Sequence, residues 1–240
     1  MKRIPNYGVR KLAIALGVVV AVSACDPEDA KNKPDSKATF EINVTNATNG
    51  QPLTPLAVIA HTSVYHAWTL GSAASTGLEM LAEGGDVSQF IADAQADAEV
   101  FETASSSNGP FGPGVTESVT IKVKKPGSDL QLSVAAMLAN TNDAFTGVAN
   151  VPVNDMEKGD SMTLLARVYD AGTERNSETA TTMPGPAAGG EGFNATRDDT
   201  GFVSIHAGVV TADDGLQSSV LNEGHRWLGP AAKIIITRTK

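Results

Sequence analysis

The strongest constraint on what this chain can fold into is a period of two. In "TFEINVTN" (39–46), Phe40, Ile42 and Val44 alternate with polar residues. Side chains that alternate in this way stand on opposite faces of an extended strand, one apolar and one wet. The pattern returns in "SVTIKVKK" (118–125), "LQLSVAAML" (130–138), "MTLLARVYD" (162–170), "GFVSIHAGV" (201–209) and "AKIIITRT" (232–239). Asn49-Gly50, Pro126-Gly127 and Asp214-Gly215 are turn signals separating several of these runs. Only "DVSQFIADAQADAEVF" (86–101) looks helical, with Val87, Phe90, Ile91 and Ala94 on one side and Asp86 placed to cap it. Strands joined by long Gly/Ser/Pro connections favour an antiparallel β-sandwich over a βαβ design. The longest connections, 103–116 and 175–201, read as loose surface connectors.

The first 25 residues speak to compartment. "MKRIPNYGVRK" carries Lys2, Arg3, Arg10 and Lys11 with no acid, and the apolar run "LAIALGVVVAVSA" follows and ends at Cys25. This is the pattern of a secretory signal, too short to span a membrane comfortably. "VSAC" (22–25) resembles the lipobox of bacterial lipoproteins, which implies that Cys25 becomes the acylated first residue of the mature chain. Residues 1–24 are then a signal peptide, 25–37 a lipidated flexible linker without apolar periodicity, and 38–240 the folded domain. Cys25 is the sole cysteine, so no disulfide braces the fold. Losing the four leader cations moves the formal charge from −9 to −13. An acidic surface excludes nucleic acid as a partner, because phosphate binding needs clustered Lys and Arg. It suits a protein that meets divalent cations.

Five stretches, "QPLTPLAVIAH" (51–61), "GLEMLAEGGD" (77–86), "NDAFTGV" (142–148), "YDAGTERNSE" (169–178) and "RWLGPAAKIIITR" (226–238), resemble in order the spondin domain of F-spondin, mindin and many bacterial exported proteins. The resemblance spans about residues 38–238 and implies an all-β, C2-like antiparallel sandwich with long loops and one or two short helices. It also implies a calcium ion. The animal domains hold one with three aspartates, from a Pro-Asp-Trp stretch and from both ends of an Asp-Ala-Gly-Thr-Asp stretch. The matching positions here are Asp143, Asp170 and Glu174, with Asn142 and Glu178 as further candidate ligands. Ala144 stands where the family has tryptophan, with Phe145 next in line for its packing role, and the third acid is one methylene longer. Calcium takes six to eight oxygen ligands in flexible geometry, which accommodates Glu for Asp better than octahedral magnesium does.

Enzyme chemistry has little to stand on. The four histidines, His61, His66, His206 and His225, do not make an i, i+4 zinc pair. There is no Gly-x-Ser-x-Gly elbow, no phosphate loop and no cysteine nucleophile in the mature chain. His61 with Asp170 or Glu174 is the one arrangement suited to metal-assisted hydrolysis. The competing expectation is that His61 and His206, beside apolar runs, are packed and hydrogen-bonded, and that Trp68 and Trp227 anchor the core. The reading is therefore a non-enzymatic, calcium-binding, lipid-anchored binding or adhesion module of the bacterial envelope, periplasmic or at the cell surface, meeting a protein or glycan ligand. The alternatives are a metal-dependent envelope hydrolase and a purely structural envelope protein.

Overall fold

A computed structural model describes residues 37–240; the signal segment, Cys25 and nearly all of the linker fall outside them. Nine strands form an antiparallel, nearly closed sandwich: β1 (Lys37–Asn46), β2 (Ala57–His61), β3 (Val100–Ser105), β4 (Thr116–Lys124), β5 (Gln131–Met137), β6 (Ala144–Pro152), β7 (Ser161–Asp170), β8 (Ser204–Ile205) and β9 (Ala232–Arg238). They follow the order β3-β2-β5-β6-β7-β9-β1-β4, with β8 added on β7. β7 belongs to both layers. Its first half, Ser161–Ala166, pairs with β9, and its last residues, Arg167–Asp170, pair with β6.

The period of two places the main core. β1 and β4 bury every second residue, so Phe40, Ile42 and Val44, beside Ile121, Ile234 and Ile236 of the same sheet, meet Leu132 and Val134 of the other layer. β9 lies in the middle of its sheet, between β7 and β1. A second apolar cluster covers the outer face of the other sheet, where Ile59, Trp68, Phe145 and Ala135 meet Leu78, Leu81 and Phe90. The last three come from two short helices, α1 (Thr76–Gly84) and α2 (Ser88–Gln95).

Several elements differ from the sequence-based expectation. β2 buries all five residues because the main core lies on one face and the helices on the other, so it shows no alternation. Helix α1 starts at Ser75, whose hydroxyl accepts from the Leu78 amide at 3.1 Å. Its Gly77 and Gly84 dilute the helical signal; Gly77 is needed because a Cβ there would lie 2.7 Å from the Phe90 Cα of α2. Residues 86–101 hold the shorter α2 and the start of β3, and Asp86 accepts from the Ser88 amide at 2.8 Å. Of "GFVSIHAGV" only Ser204–Ile205 pairs, since β9 already occupies that edge of β7 up to Ala166. Neither long connection is loose: Phe111 is buried and bridges to Leu53, and Met183 is fully buried.

Candidate metal centre and the buried acids around it

The stretch Tyr169-Asp-Ala-Gly-Thr-Glu174 leaves the end of β7 and turns back over the β5–β6 turn. Asp170 Oδ1 accepts from the Gly172 amide at 2.7 Å, the local bond by which an aspartate mimics a backbone turn. Gly172 sits at φ +71, and a Cβ there would approach the Phe202 carbonyl oxygen to 2.3 Å, so only glycine fits. The turn then wraps the Asp143 carboxylate. Its Oδ2 accepts from the Thr173 amide at 2.8 Å, the Thr173 hydroxyl at 3.2 Å and the Glu174 amide at 3.1 Å. The Ala171 amide donates to the Asp143 carbonyl at 3.2 Å. Phe145, two residues on, packs edge-on to Trp68 at 5.2 Å and stacked on Tyr169 at 5.3 Å.

All three acids singled out by sequence are thus brought to one end of the sandwich, and all are buried, Asp143 at 0%, Asp170 at 6% and Glu174 at 8% exposure. Their hydrogen bonding is incomplete. Among the described residues, Asp143 Oδ1 and Glu174 Oε2 have no partner, although buried polar atoms ordinarily do. Burial, reinforced by the Asp170 charge, pushes the Asp143 carboxyl up to about 7. Burial also pushes Glu174 up to about 8, opposed by a 3.1 Å bond from the Asn142 amide and aided by the charges of Glu83, Asp143 and Glu191. Every candidate donor is a hard oxygen, the set calcium takes. Among the described residues, however, no three His, Cys, Asp or Glu side chains are close enough to hold an ion without moving.

Neighbouring polar groups are, by contrast, fully engaged. Glu178 is buried, and its carboxylate accepts from the Val210 amide at 2.6 Å, the Thr211 amide at 3.1 Å and the Ser219 hydroxyl. It pins the 209–219 segment and is not placed as a metal ligand. Asn142 donates to Glu174, Ser177 and Thr182, and its carbonyl accepts from the Glu178 amide at 3.1 Å. His206 is tied in through Asn176. The Gly208 amide donates to Nδ1, which leaves Nε2–H to donate to Asn176 Oδ1 at 2.9 Å, and Asn176 Nδ2 donates to Asp170 Oδ2 at 2.6 Å. Burial lowers the His206 pKa, in keeping with this neutral, single-proton role.

His61 is elsewhere. It pairs with Gln131 at one end of β5, whereas Met137 at the other end faces Phe145, beside Asp143. Six residues of strand, roughly 20 Å, separate the two ends. His61 is wholly buried, bonded to the Thr62 carbonyl at 2.7 Å and the Ser133 hydroxyl at 2.8 Å, so the hydrolase arrangement of His61 with Asp170 or Glu174 does not form. Trp68 anchors the core as expected. Trp227 is half-buried and packs on His206 at 5.2 Å. With Arg167, Ile205, Leu228 and Pro230 it lines a surface groove of about 450 Å³. The groove opens where β9 leaves β7 and β8 takes over, and Leu228 on its rim is fully exposed.

Sequence reading passed over one carboxylate here, Glu83 of α1, which is 1% exposed with Oε1 unpartnered. Its signal was present inside "GLEMLAEGGD", where Glu79 and Glu83 recur one turn apart on the buried side of the helix. The architecture is that of an antiparallel sandwich carrying a buried acid cluster at one end. The Spondin_N family model matches residues 36–188, and the chain belongs to that family, one of extracellular-type binding modules. The match takes in Glu83, Asp143, Asp170 and Glu174 and stops short of β8 and β9. Among curated proteins none matches this chain.

Proposed function

We propose that this protein is a calcium-binding module, anchored in a bacterial membrane through lipid on Cys25, that engages a protein or glycan partner at the cell surface. The observation that carries the metal reading is the pair of buried, unpartnered oxygens, Asp143 Oδ1 and Glu174 Oε2, at positions that the resemblance implies for the ion and that lie within the matched span. Leaving such atoms unpaired costs about 1–3 kcal/mol each, more when charged. Asp143, Glu174 and Asp170, whose oxygens keep free lone pairs beside their single bonds to Gly172 and Asn176, are the residues that would hold the ion. A bound calcium would supply the positive charge that none of the three carboxylates finds among the described residues. The chain's own part is to fold "DAGTE" over Asp143, whose Oδ2 the Thr173 and Glu174 amides hold in place.

Melting in chelator and in millimolar calcium tests this reading. An ion that binds only the folded state adds about 2.7 kcal/mol at a hundredfold excess over Kd, and extracellular sites bind calcium at about 0.1–1 mM. Asp143→Asn and Asp170→Asn should each abolish most of the gain, and Glu174→Asp should be mildest. Equal melting temperatures in chelator and calcium would refute it. Cys25→Ala should release the protein from membrane fractions; recovery in the same fraction refutes the anchor.

A further inference from the structure

The structure assigns Glu83 of helix α1 as a further ligand of the cation held by Asp143 and Glu174, an inference that rests on the calcium reading above. Glu83 is 1% exposed. Its Oε2 accepts one bond, from the Asn194 amide at 2.8 Å, and its Oε1 accepts none. The carboxylate lies beside the Thr173 hydroxyl and close enough to Glu174 for the two charges to act on each other. Thr173 in turn donates to Asp143. Three unpartnered carboxylate oxygens, Glu83 Oε1, Asp143 Oδ1 and Glu174 Oε2, thus come from a helix, the β5–β6 turn and the loop after β7; Thr173 touches the carboxylates of Glu83 and Asp143 and precedes Glu174 in the chain.

Glu79, one helical turn earlier, shows what α1 does with a buried acid that is purely structural. It receives Arg197 Nε at 2.9 Å and Nη2 at 2.6 Å, a two-pronged ion pair. Glu83 has no such partner: among the described residues the ion pairs are Arg197–Glu79 and Arg226–Asp214. The charge of Arg197 reaches Glu83 without pairing with it, and burying a carboxylate with no paired cation is unfavourable. A hard divalent ion reached by Glu83, Glu174 and Asp143 supplies that cation, and calcium has ligand positions to spare for a fourth carboxylate beside Asp170. Glutamate suits the two outer positions. Its extra methylene lets the carboxylates of Glu83 and Glu174 swing towards Asp143, which is held fast by Thr173 and Glu174 amides. Calcium binding then ties α1 to the sandwich.

Calcium titration of the full chain by calorimetry at neutral pH, with Glu83→Gln, Glu83→Asp, Asp143→Asn and the exposed control Glu157→Gln, tests the assignment. Expected are a Kd raised at least tenfold by Glu83→Gln, a smaller rise for Glu83→Asp, and no change for Glu157→Gln. Melting in chelator should leave Glu83→Gln as stable as the parent or more so, while its gain on adding calcium shrinks. A structural Glu83 would instead lower both melts equally and leave the calcium Kd untouched, and that result overturns the assignment while sparing the metal site. Should Glu83→Gln not fold, a parental Kd in Glu83→Asp overturns it equally. Absence of calcium binding by the parent overturns this inference and the metal reading together.

Discussion

Two neighbouring regions of this molecule bury acids in opposite ways. Around Glu178 and Glu79 every carboxylate oxygen is answered: Glu178 by two amides and a hydroxyl, Glu79 by both prongs of Arg197. Around Asp143, Glu174 and Glu83, each acid keeps one oxygen without a partner, and burial raises the pKa of all three. Sequence distance does not separate the two kinds, since Glu174 and Glu178 are four residues apart in one loop and Glu79 and Glu83 four apart on one helix. Closed networks hold loops; the open cluster keeps oxygens free to take a proton or, on the proposal above, a cation. The lesson is that burial of an acid says little about role until its oxygens are accounted for individually.

The contrast can be broken or sharpened by experiment. The largest effect is expected at Arg197→Met, which strips buried Glu79 of its cation among the described residues and, because Arg197 itself is solvent-exposed, should cost about 1.5–3 kcal/mol in urea denaturation; a loss under about 1 kcal/mol would mean Glu79 belongs with the open cluster. Glu178→Gln keeps shape but turns a donor towards the amides of Val210 and Thr211, and should cost about 1–3 kcal/mol, equally in chelator and calcium. A calcium-dependent loss there would place Glu178 among the ligands after all.

The open cluster should show itself in pH dependence. In chelator the folded state holds protons on Asp143 and Glu174 up to about 7 and about 8, while the unfolded chain releases them near 4. Stability in chelator should therefore fall as pH rises from about 4 to about 8. Calcium needs the same groups deprotonated, so its stabilising effect should grow over that window. Melting curves that stay parallel across it would contradict this. The smallest change is expected for Asp143→Asn in chelator at pH 8, within about 1 kcal/mol of the parent, because asparagine can still accept from Thr173 and Glu174 and no longer buries a charge. A large loss would show that the Asp143 carboxylate braces the loop without any ion.

What the residues determined by themselves was local. Period-two runs set β1, β4 and β9 because one face of each meets the core and the other meets water, and a sandwich of such strands follows. The "DAGT" turn was equally legible, since the Asp170–Gly172 bond and the left-handed glycine lie within three residues. Strand β2 was hidden because its second face is covered by helices that only the folded chain brings over it. Position along the sheet was hidden too: His61 and Asp143 are placed at opposite ends by the β2–β5–β6 register. Above all, tertiary structure decided which acids are satisfied. Glu79 meets Arg197 across 118 residues, and Asp143 meets the Thr173 amide across 30. A carboxylate's charge state depends on burial and on what lies within about 4 Å, and for these residues both come from chain segments remote in sequence.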